Sequence, residues 1–362
     1  MSGELDVAAT DDEFVTEVLD LCVGCKGCVR NCPSEVDLAK LKAELQHQRH
    51  DREGATLRDR LFANVEWAAR LGSALAPLSN RLASLPGARA LLERTVGIAR
   101  ERQLPTFRRE SFVDWFDARG PAVPEAEAAE RALLLPDTFT NYTEPAVAKA
   151  AVRVLEAADV HVRVADVGPA GRAAFSKGFL DLAEKRARDI VAELTPRVEN
   201  GWDVVVCEPS DAVMVQSDYA DLLGDASAEL LADYTFGVCE YLDVRRLDER
   251  VAFDAPAEPL VYHGHCHQKA TKRDHHAVGV LRRAGYDVEP LDSTCCGMAG
   301  AFGYEAEHYS MSRAIGRLLF EQVDAADGAP VAPGASCRTQ LGDREDTPEP
   351  DHPVQRLATA LR

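Results

Sequence analysis

Eight of the ten cysteines of this chain fall into two sets that could do chemistry. The first is compact: Cys22, Cys25, Cys28 and Cys32, with Pro33 directly after the last. Two-residue gaps followed by one three-residue gap make the pattern C-x2-C-x2-C-x3-C-P, a spacing that holds cubane 4Fe-4S clusters. A tight loop with such gaps turns successive sulfurs inward, towards different corners of one cube. Zinc sites instead take a C-x2-C pair and a second pair a dozen or more residues away. The spacing predicts an iron–sulfur cluster here. In two-cluster proteins the final Cys of such a run serves the other cluster. No second run follows in this sequence, so the fourth ligand is either Cys32 or a thiolate from another polypeptide.

The second set is dispersed: Cys266, Cys295, Cys296 and Cys337. All three segments follow predicted strands, and in open α/β sheets such loops gather where ligands bind. Gly264, Gly297 and Gly300 would let backbone pass close to a bound centre. Adjacent cysteines reach two irons of one cluster more easily than one zinc. A zinc site completed by His263, His265 or His267 is the alternative, as are buried apolar cysteines or a vicinal disulfide. The three alternating histidines, with Lys269, His275 and His276, could also relay protons or bind an anion. Cys207 and Cys239 have no partner at ligand spacing and read as ordinary buried cysteines. Phosphate loops, dinucleotide fingerprints and nucleophile elbows are absent from the sequence.

The elements that must position these residues follow from periodicity. Asp11–Leu21 reads as an amphipathic helix leading into the first run, and Val36–Leu45 as a second. From Gln46 to about Phe116 the pattern is helical, broken at Pro77, Pro86 and Pro105, and Ala118–Ala129 resembles a linker. Strands and helices then alternate. The first series is Ala132–Pro136, a helix at Pro145–Ala158, Val160–Val167, a helix at Ser176–Leu194, and Val204–Cys207. The second is Pro259–Tyr262, a helix near Ala277–Ala284, Tyr286–Leu291, a helix near Glu305–Val323, and a strand near Pro330. Alternation of this kind predicts crossover units and parallel sheets.

The two series align. Asp137 falls near Cys266, Gly168-Pro169-Ala170-Gly171 falls on Thr294-Cys295-Cys296-Gly297, and Asp211 falls on Cys337. The expected fold is α+β overall. It comprises an N-terminal helical ferredoxin-like domain (1–46), a helical connection (47–128), and two duplicated α/β lobes with parallel sheets. The first lobe (129–250) has lost the thiols and the second (251–362) keeps them. The acidic stretch Gly342–Asp351 reads as a mobile loop, and His352–Leu361 as a closing helix.

Composition bounds the rest. With 41 basic against 60 acidic residues the chain carries −19, which opposes binding to nucleic acid or anionic lipid. Only eight of the basic residues are Lys. An acidic, Lys-poor and Arg-rich surface fits a halophilic cytoplasm, where salt screens self-repulsion. No signal peptide or transmembrane run is visible, and clustered thiols imply metal in a reducing compartment.

The segments Tyr262–Ala270, Cys295-Cys296-Gly297-Met298-Ala299-Gly300 and Gly334-Ala335-Ser336-Cys337 resemble the cysteine-rich CCG domains. These occur in subunits of heterodisulfide reductase and of anaerobic glycerol-3-phosphate dehydrogenase, and in glycolate oxidase iron–sulfur subunits. The whole order is similar to the C-terminal region of FAD-linked oxidases of the D-lactate/D-2-hydroxyglutarate dehydrogenase type. The resemblance implies an electron-transfer component of a flavin-linked 2-hydroxyacid dehydrogenase. It would hold one 4Fe-4S cluster at Cys22, Cys25, Cys28 and Cys32, and a second cluster or zinc at Cys266, Cys295, Cys296 and Cys337. FAD would sit on a partner subunit that carries a further cysteine run, and that partner could hold the chain at a membrane. Two other readings are a disulfide reductase acting at Cys295-Cys296 and a non-catalytic fragment of a longer oxidase. The sequence also departs from the resemblance. CCG lobes usually end in C-x2-C, whereas Cys337 is followed by Arg338-Thr339-Gln340, leaving four thiols rather than five.

Overall fold

A computed structural model describes residues 18–34, 36–344 and 347–362. The first residues of the expected Asp11–Leu21 helix lie outside the described residues. Helices at Gly27–Asn31 and Leu38–Glu53 follow the first cysteines, and the second of them runs unbroken across position 46. Asp37 starts it, its Oδ1 accepting from the amides of Ala39 (2.9 Å) and Lys40 (3.2 Å). Short helices follow at Leu57–Ala63, Val65–Ala74, Leu78–Ser84, Pro86–Val96 and Phe112–Arg119. Pro86 does not interrupt a helix but begins one, because the first turn needs no amide donor there.

Among the described residues, seven strands form two parallel sheets. In the first, β1 (Glu130–Leu135), β2 (Val160–Val164), β3 (Asp203–Val206) and β4 (Thr235–Gly237) lie in the order β2-β1-β3-β4. In the second, β5 (Leu260–Tyr262), β6 (Val288–Pro290) and β7 (Ala329–Val331) lie in the order β6-β5-β7. Both sheets therefore place the first strand between the second and the third. The residues of β1 are buried on both faces. Leu133 and Leu135 pack with Ile190 and Leu194 of the helix Leu180–Glu199, while Ala132 and Leu134 turn to the opposite core. Two-sided burial explains why β1 reads as a continuous apolar run rather than an alternating one.

That opposite core is shared. Leu134 and Val205 of the first sheet belong to one apolar cluster with Leu260, Tyr262 and Val331 of the second, closed by Val354 and Leu357 of the helix Pro353–Thr359. The two lobes stabilise each other, each fully buried Leu or Val contributing about 1.5–3 kcal/mol. Two expected loops are also pinned down. In Ala118–Ala129, the Ala122 amide donates to Glu156 at 2.7 Å and the Val123 carbonyl meets His161 Nδ1 at 2.7 Å. Asp351 bridges to Val331, with the Ala332 amide on its carbonyl at 3.1 Å. No helix among the described residues is long and apolar enough to cross a membrane.

Candidate metal centres

The first run forms a loop of half-buried thiols. Gly24 (φ +63°) and Lys26 (φ +56°) put two left-handed residues beside Cys25, curling the backbone around the sulfurs. Cys32 ends the helix Gly27–Asn31, its amide on the Cys28 carbonyl at 2.8 Å. The Leu38 amide approaches Cys28 Sγ at 3.3 Å, the kind of N–H···S contact that stabilises a charged sulfur. Burial pushes the Cys25 thiol above its ordinary value, and neighbouring Cys266, Cys22 and Cys28 add to the effect. A thiol so raised keeps its proton unless a metal takes the proton's place.

Fixed ion pairs hold this loop against the rest of the molecule. Lys26, only 4% exposed, donates to Asp37 Oδ2 at 2.6 Å and Asp218 Oδ1 at 3.0 Å. Asp218 is fully buried and also takes Arg172. Those two cations hold its carboxyl well below the usual carboxylate range against the cost of burial. On the other side, His308 joins Asp20 (3.5 Å) to Glu305 (2.7 Å), and the two carboxylates raise it to about 9. Sequence spacing marks neither Lys26 nor Asp218. A lysine between two clustered cysteines reads as a loop residue, and only the fold supplies its partner 192 positions away.

The second set is gathered at the carboxyl ends of β5, β6 and β7. The Cys295 thiol sits among Cys266 and Cys296, and the Cys296 thiol among Cys295, Cys337 and His263. Contact with Cys295, then with Cys337, holds the Cys296 thiol well below its ordinary value, while contact with Cys266, then with Cys296, pushes Cys295 up and contact with Cys296 pushes Cys337 up. Donor atoms of His263, Cys296 and Cys337 lie within 4.8 Å of one another, all buried. The Gly297 amide points at Cys295 Sγ at 3.4 Å. Gly297 has φ +86°, and a Cβ there would lie 2.5 Å from the Ser312 carbonyl oxygen, so the turn after the vicinal pair requires glycine.

The structure separates the histidines that the sequence groups. His263 Nδ1 is engaged by Ser293 Oγ at 2.6 Å, and Lys269 Nζ holds Ser293 through its carbonyl oxygen (2.6 Å) and Oγ (3.2 Å). That leaves His263 Nε2 beside the thiols, buried and without a hydrogen-bond partner. An orphaned imidazole nitrogen whose other nitrogen is pinned is the arrangement a metal-ligating histidine shows. His265 instead accepts the His267 amide at 3.2 Å to start the helix Cys266–Ala270, and burial lowers it to about 4. His267 meets the Gly24 carbonyl at 2.9 Å and so ties the two centres together. The rings of His275 and His276 lie 4.1 Å apart, tilted by 34°, with His276 on Asp243 at 2.6 Å. Gln340, where a fifth thiol would stand, is fully buried. It accepts from Arg102 at 2.9 Å and donates to the Ser312 carbonyl at 3.1 Å.

The two donor sets fit metal. One is all thiol on a curled loop, and the other is four thiols with one orphaned imidazole nitrogen. They adjoin, since His267, next to Cys266, meets the carbonyl of Gly24, next to Cys25, at 2.9 Å.

At the matching ends of the first sheet the donors are oxygens. Asp137 starts the helix Thr138–Tyr142 and Glu208 starts Pro209–Val213, as His265 and Gly334 start theirs in the second lobe. Gly171 has φ +90°, close to Gly297 at +86°. Burial, then mutual repulsion, raises Asp137, Asp211 and Glu208, the last to about 7.

No family model matches the chain. The chain is similar to the C subunit of the anaerobic glycerol-3-phosphate dehydrogenase of Escherichia coli K12, 27% identical over 335 residues that cover 91% of this chain and 83% of that protein. It is also 27% identical to D-2-hydroxyglutarate dehydrogenase of the same organism, over 366 residues that cover 96% of this chain and 35% of the relative. The Pseudomonas putida D-2-hydroxyglutarate dehydrogenase is 27% identical over 350 residues, with 91% and 33% covered. The chain thus spans about a third of those dehydrogenases. Its homologues are of the kinds that the cysteine motifs resemble.

Proposed function

We propose that this chain is the iron–sulfur electron-transfer component of a flavin-linked dehydrogenase for a 2-hydroxyacid or glycerol 3-phosphate. Cys22, Cys25 and Cys28, with Cys32 or a partner's thiolate, would hold a 4Fe-4S cluster. Cys266, Cys295, Cys296 and Cys337, with His263 beside them, would hold the second centre. Such centres supply one-electron acceptors and donors; the chain's own residues fix their spacing and environment. Lys26 and His308 anchor the first loop, His267 bridges the loops, and Ser293 with Lys269 orients His263.

The observation that carries this reading is the direct join between the two cysteine segments: His267, next to Cys266, meets the carbonyl of Gly24, next to Cys25, at 2.9 Å. Adjoining redox centres suit electron relay, whereas a lone structural metal needs no neighbour. A flavin-bearing subunit would take the substrate's hydride, deliver electrons singly, and keep the chain cytoplasmic or held at a membrane through that subunit. The disulfide-reductase reading is less favoured because Cys295 and Cys296 are 8% and 3% exposed, too enclosed for a disulfide substrate.

The test is anaerobic reconstitution of the full chain with ferrous iron and sulfide, followed by reductive titration under electron paramagnetic resonance. Two interacting centres are expected, with no reduction by substrate until the flavin subunit is added. Zinc without sulfide in the reconstituted protein would refute the proposal.

A further inference from the structure

The second-lobe helix that carries Cys337 is gripped by the first lobe. The helix Ala335–Gly342 begins at Gly334 with no side-chain cap of its own. Its first amide, Ala335 N, donates at 2.9 Å to Oε2 of Glu208, a residue 127 positions earlier at the carboxyl end of β3. The other oxygen of Glu208 is held by the hydroxyl of Ser210 at 2.9 Å. One residue after Cys337, Arg338 is 1% exposed. Its guanidinium donates to Glu144 Oε2 at 2.9 and 2.7 Å, and to the carbonyls of Ala332 and Pro333 at 3.2 and 2.6 Å. Glu144, like Glu208, belongs to the first lobe.

We propose that Glu208 is a positioning and redox-tuning residue for the second-lobe centre: it fixes the turn that presents Cys337 and sets a negative charge beside it. This rests on the reading that Cys266, Cys295, Cys296 and Cys337 hold a redox metal centre.

Two physical effects meet at Glu208. A buried helix start leaves amides that must be satisfied, and a charge-assisted bond to a carboxylate does so most strongly. Gly334 cannot supply it, and Glu208 does. The helix is thereby held where Cys337 meets Cys296. The second effect is electrostatic. Glu208 acts on Cys337 through a buried, low-dielectric region, where charges interact more strongly than in water. Adding an electron to a thiolate-bound centre increases its negative charge, so a nearby carboxylate opposes reduction. The other charges facing Glu208 are Asp137 and Arg338, and beyond them lie Glu144 on Arg338 and Asp211 with Arg172 and Arg186. Arg338 is already engaged by Glu144, so it offsets Glu208 only in part. The first lobe, without metal-binding thiols of its own, thus shapes its neighbour's site.

The experiment is a potentiometric titration of the reconstituted full chain at pH 8.5, with metal content and melting temperature measured on every sample. At that pH the Glu208 carboxyl, which burial and Asp137 raise to about 7, is ionised. Glu208→Gln keeps an oxygen for Ala335 N and removes the charge. It is expected to retain metal and to favour reduction of the second centre about tenfold, ~59 mV for one electron. The first centre should stay put, and the melting temperature should not fall, since burial disfavours the Glu208 charge at that pH. Metal retained with an unmoved second potential overturns the proposal.

Should Glu208→Gln lose the metal, Glu144→Gln decides. It leaves the Glu208 bond intact and exposes the Arg338 charge to the site, so the potential must rise. No rise there also overturns the proposal. A wild-type chain without a redox-active second centre is a separate outcome, recognised by its metal and sulfide content, and it strikes the functional reading itself.

Discussion

The carboxyl ends of the two sheets present one backbone plan with opposite chemistry. Each sheet has its first strand in the middle, a short helix after that strand, a left-handed glycine after the second, and another helix after the third. In the second lobe the plan delivers soft, polarisable sulfurs and an unsatisfied imidazole nitrogen. In the first it delivers Asp137, Glu208 and Asp211, carboxyls that burial raises and that amide donors and arginines engage. Side-chain chemistry at a few loop positions decides which lobe is suited to metal, because the frames are alike.

The strongest way to break that contrast is to remove sulfur. Cys296→Ser is expected to lose the second-lobe metal while the first centre's iron remains, and to lower the melting point, since metal-binding free energy contributes to folding. Metal analysis beside thermal denaturation reads both effects.

A step smaller is Asp218→Ala, which strands Lys26 and Arg172 at the join between the cysteine loop and the first lobe. Breaking a buried pair from one side costs roughly 3–5 kcal/mol. Denaturant titration should show that loss and, below full unfolding, a more oxygen-sensitive first cluster.

Asp211→Asn sharpens the contrast from the acid side. Burial raises this carboxyl well above its ordinary value, so the folded chain holds a proton that the unfolded chain releases as pH rises past about 4. Wild-type stability should therefore fall with rising pH, and the variant should be the more stable above pH 7 by at least about 1 kcal/mol, with little difference near pH 4. Equal pH profiles would show that Asp211 is not buried as a neutral acid.

His308→Gln has the smallest expected effect and the opposite sign. Raised to about 9 by Asp20 and Glu305, His308 contributes stability that is complete below about pH 6.5 and fades as pH climbs through 9. The variant should lose about 1–2 kcal/mol at pH 6, after allowance for solvent screening, and little at pH 10. A uniform loss at both would mean that packing on Phe302, not charge, is what His308 supplies.

Much of this is legible in the sequence because periodicity and cysteine spacing are local signals. The strands β1, β2, β3, β5, β6 and β7 fall within or near the apolar runs that predict them, and the helix that follows β7 carries Cys337. The strand β4 has no such signal: three residues running straight into a helix carry no period. The mobile loop expected at Gly342–Asp351 is anchored at Asp351, whose backbone pairs with β7 through a partner that sequence distance hides. Glu208, Arg338 and Lys26 are silent in the sequence for the same reason. Their roles depend on groups more than a hundred positions away, and the only local hint is an arginine and a glutamine following Cys337 where thiol spacing would otherwise continue.

The most direct measurement is the iron, zinc and acid-labile sulfide content of the anaerobically reconstituted full chain, compared with Cys25→Ser and Cys296→Ala. Iron and sulfide for two centres are predicted in the wild type. Each variant should lose one centre and keep the other. Zinc without sulfide, or undiminished metal in Cys296→Ala, would contradict the two-centre relay.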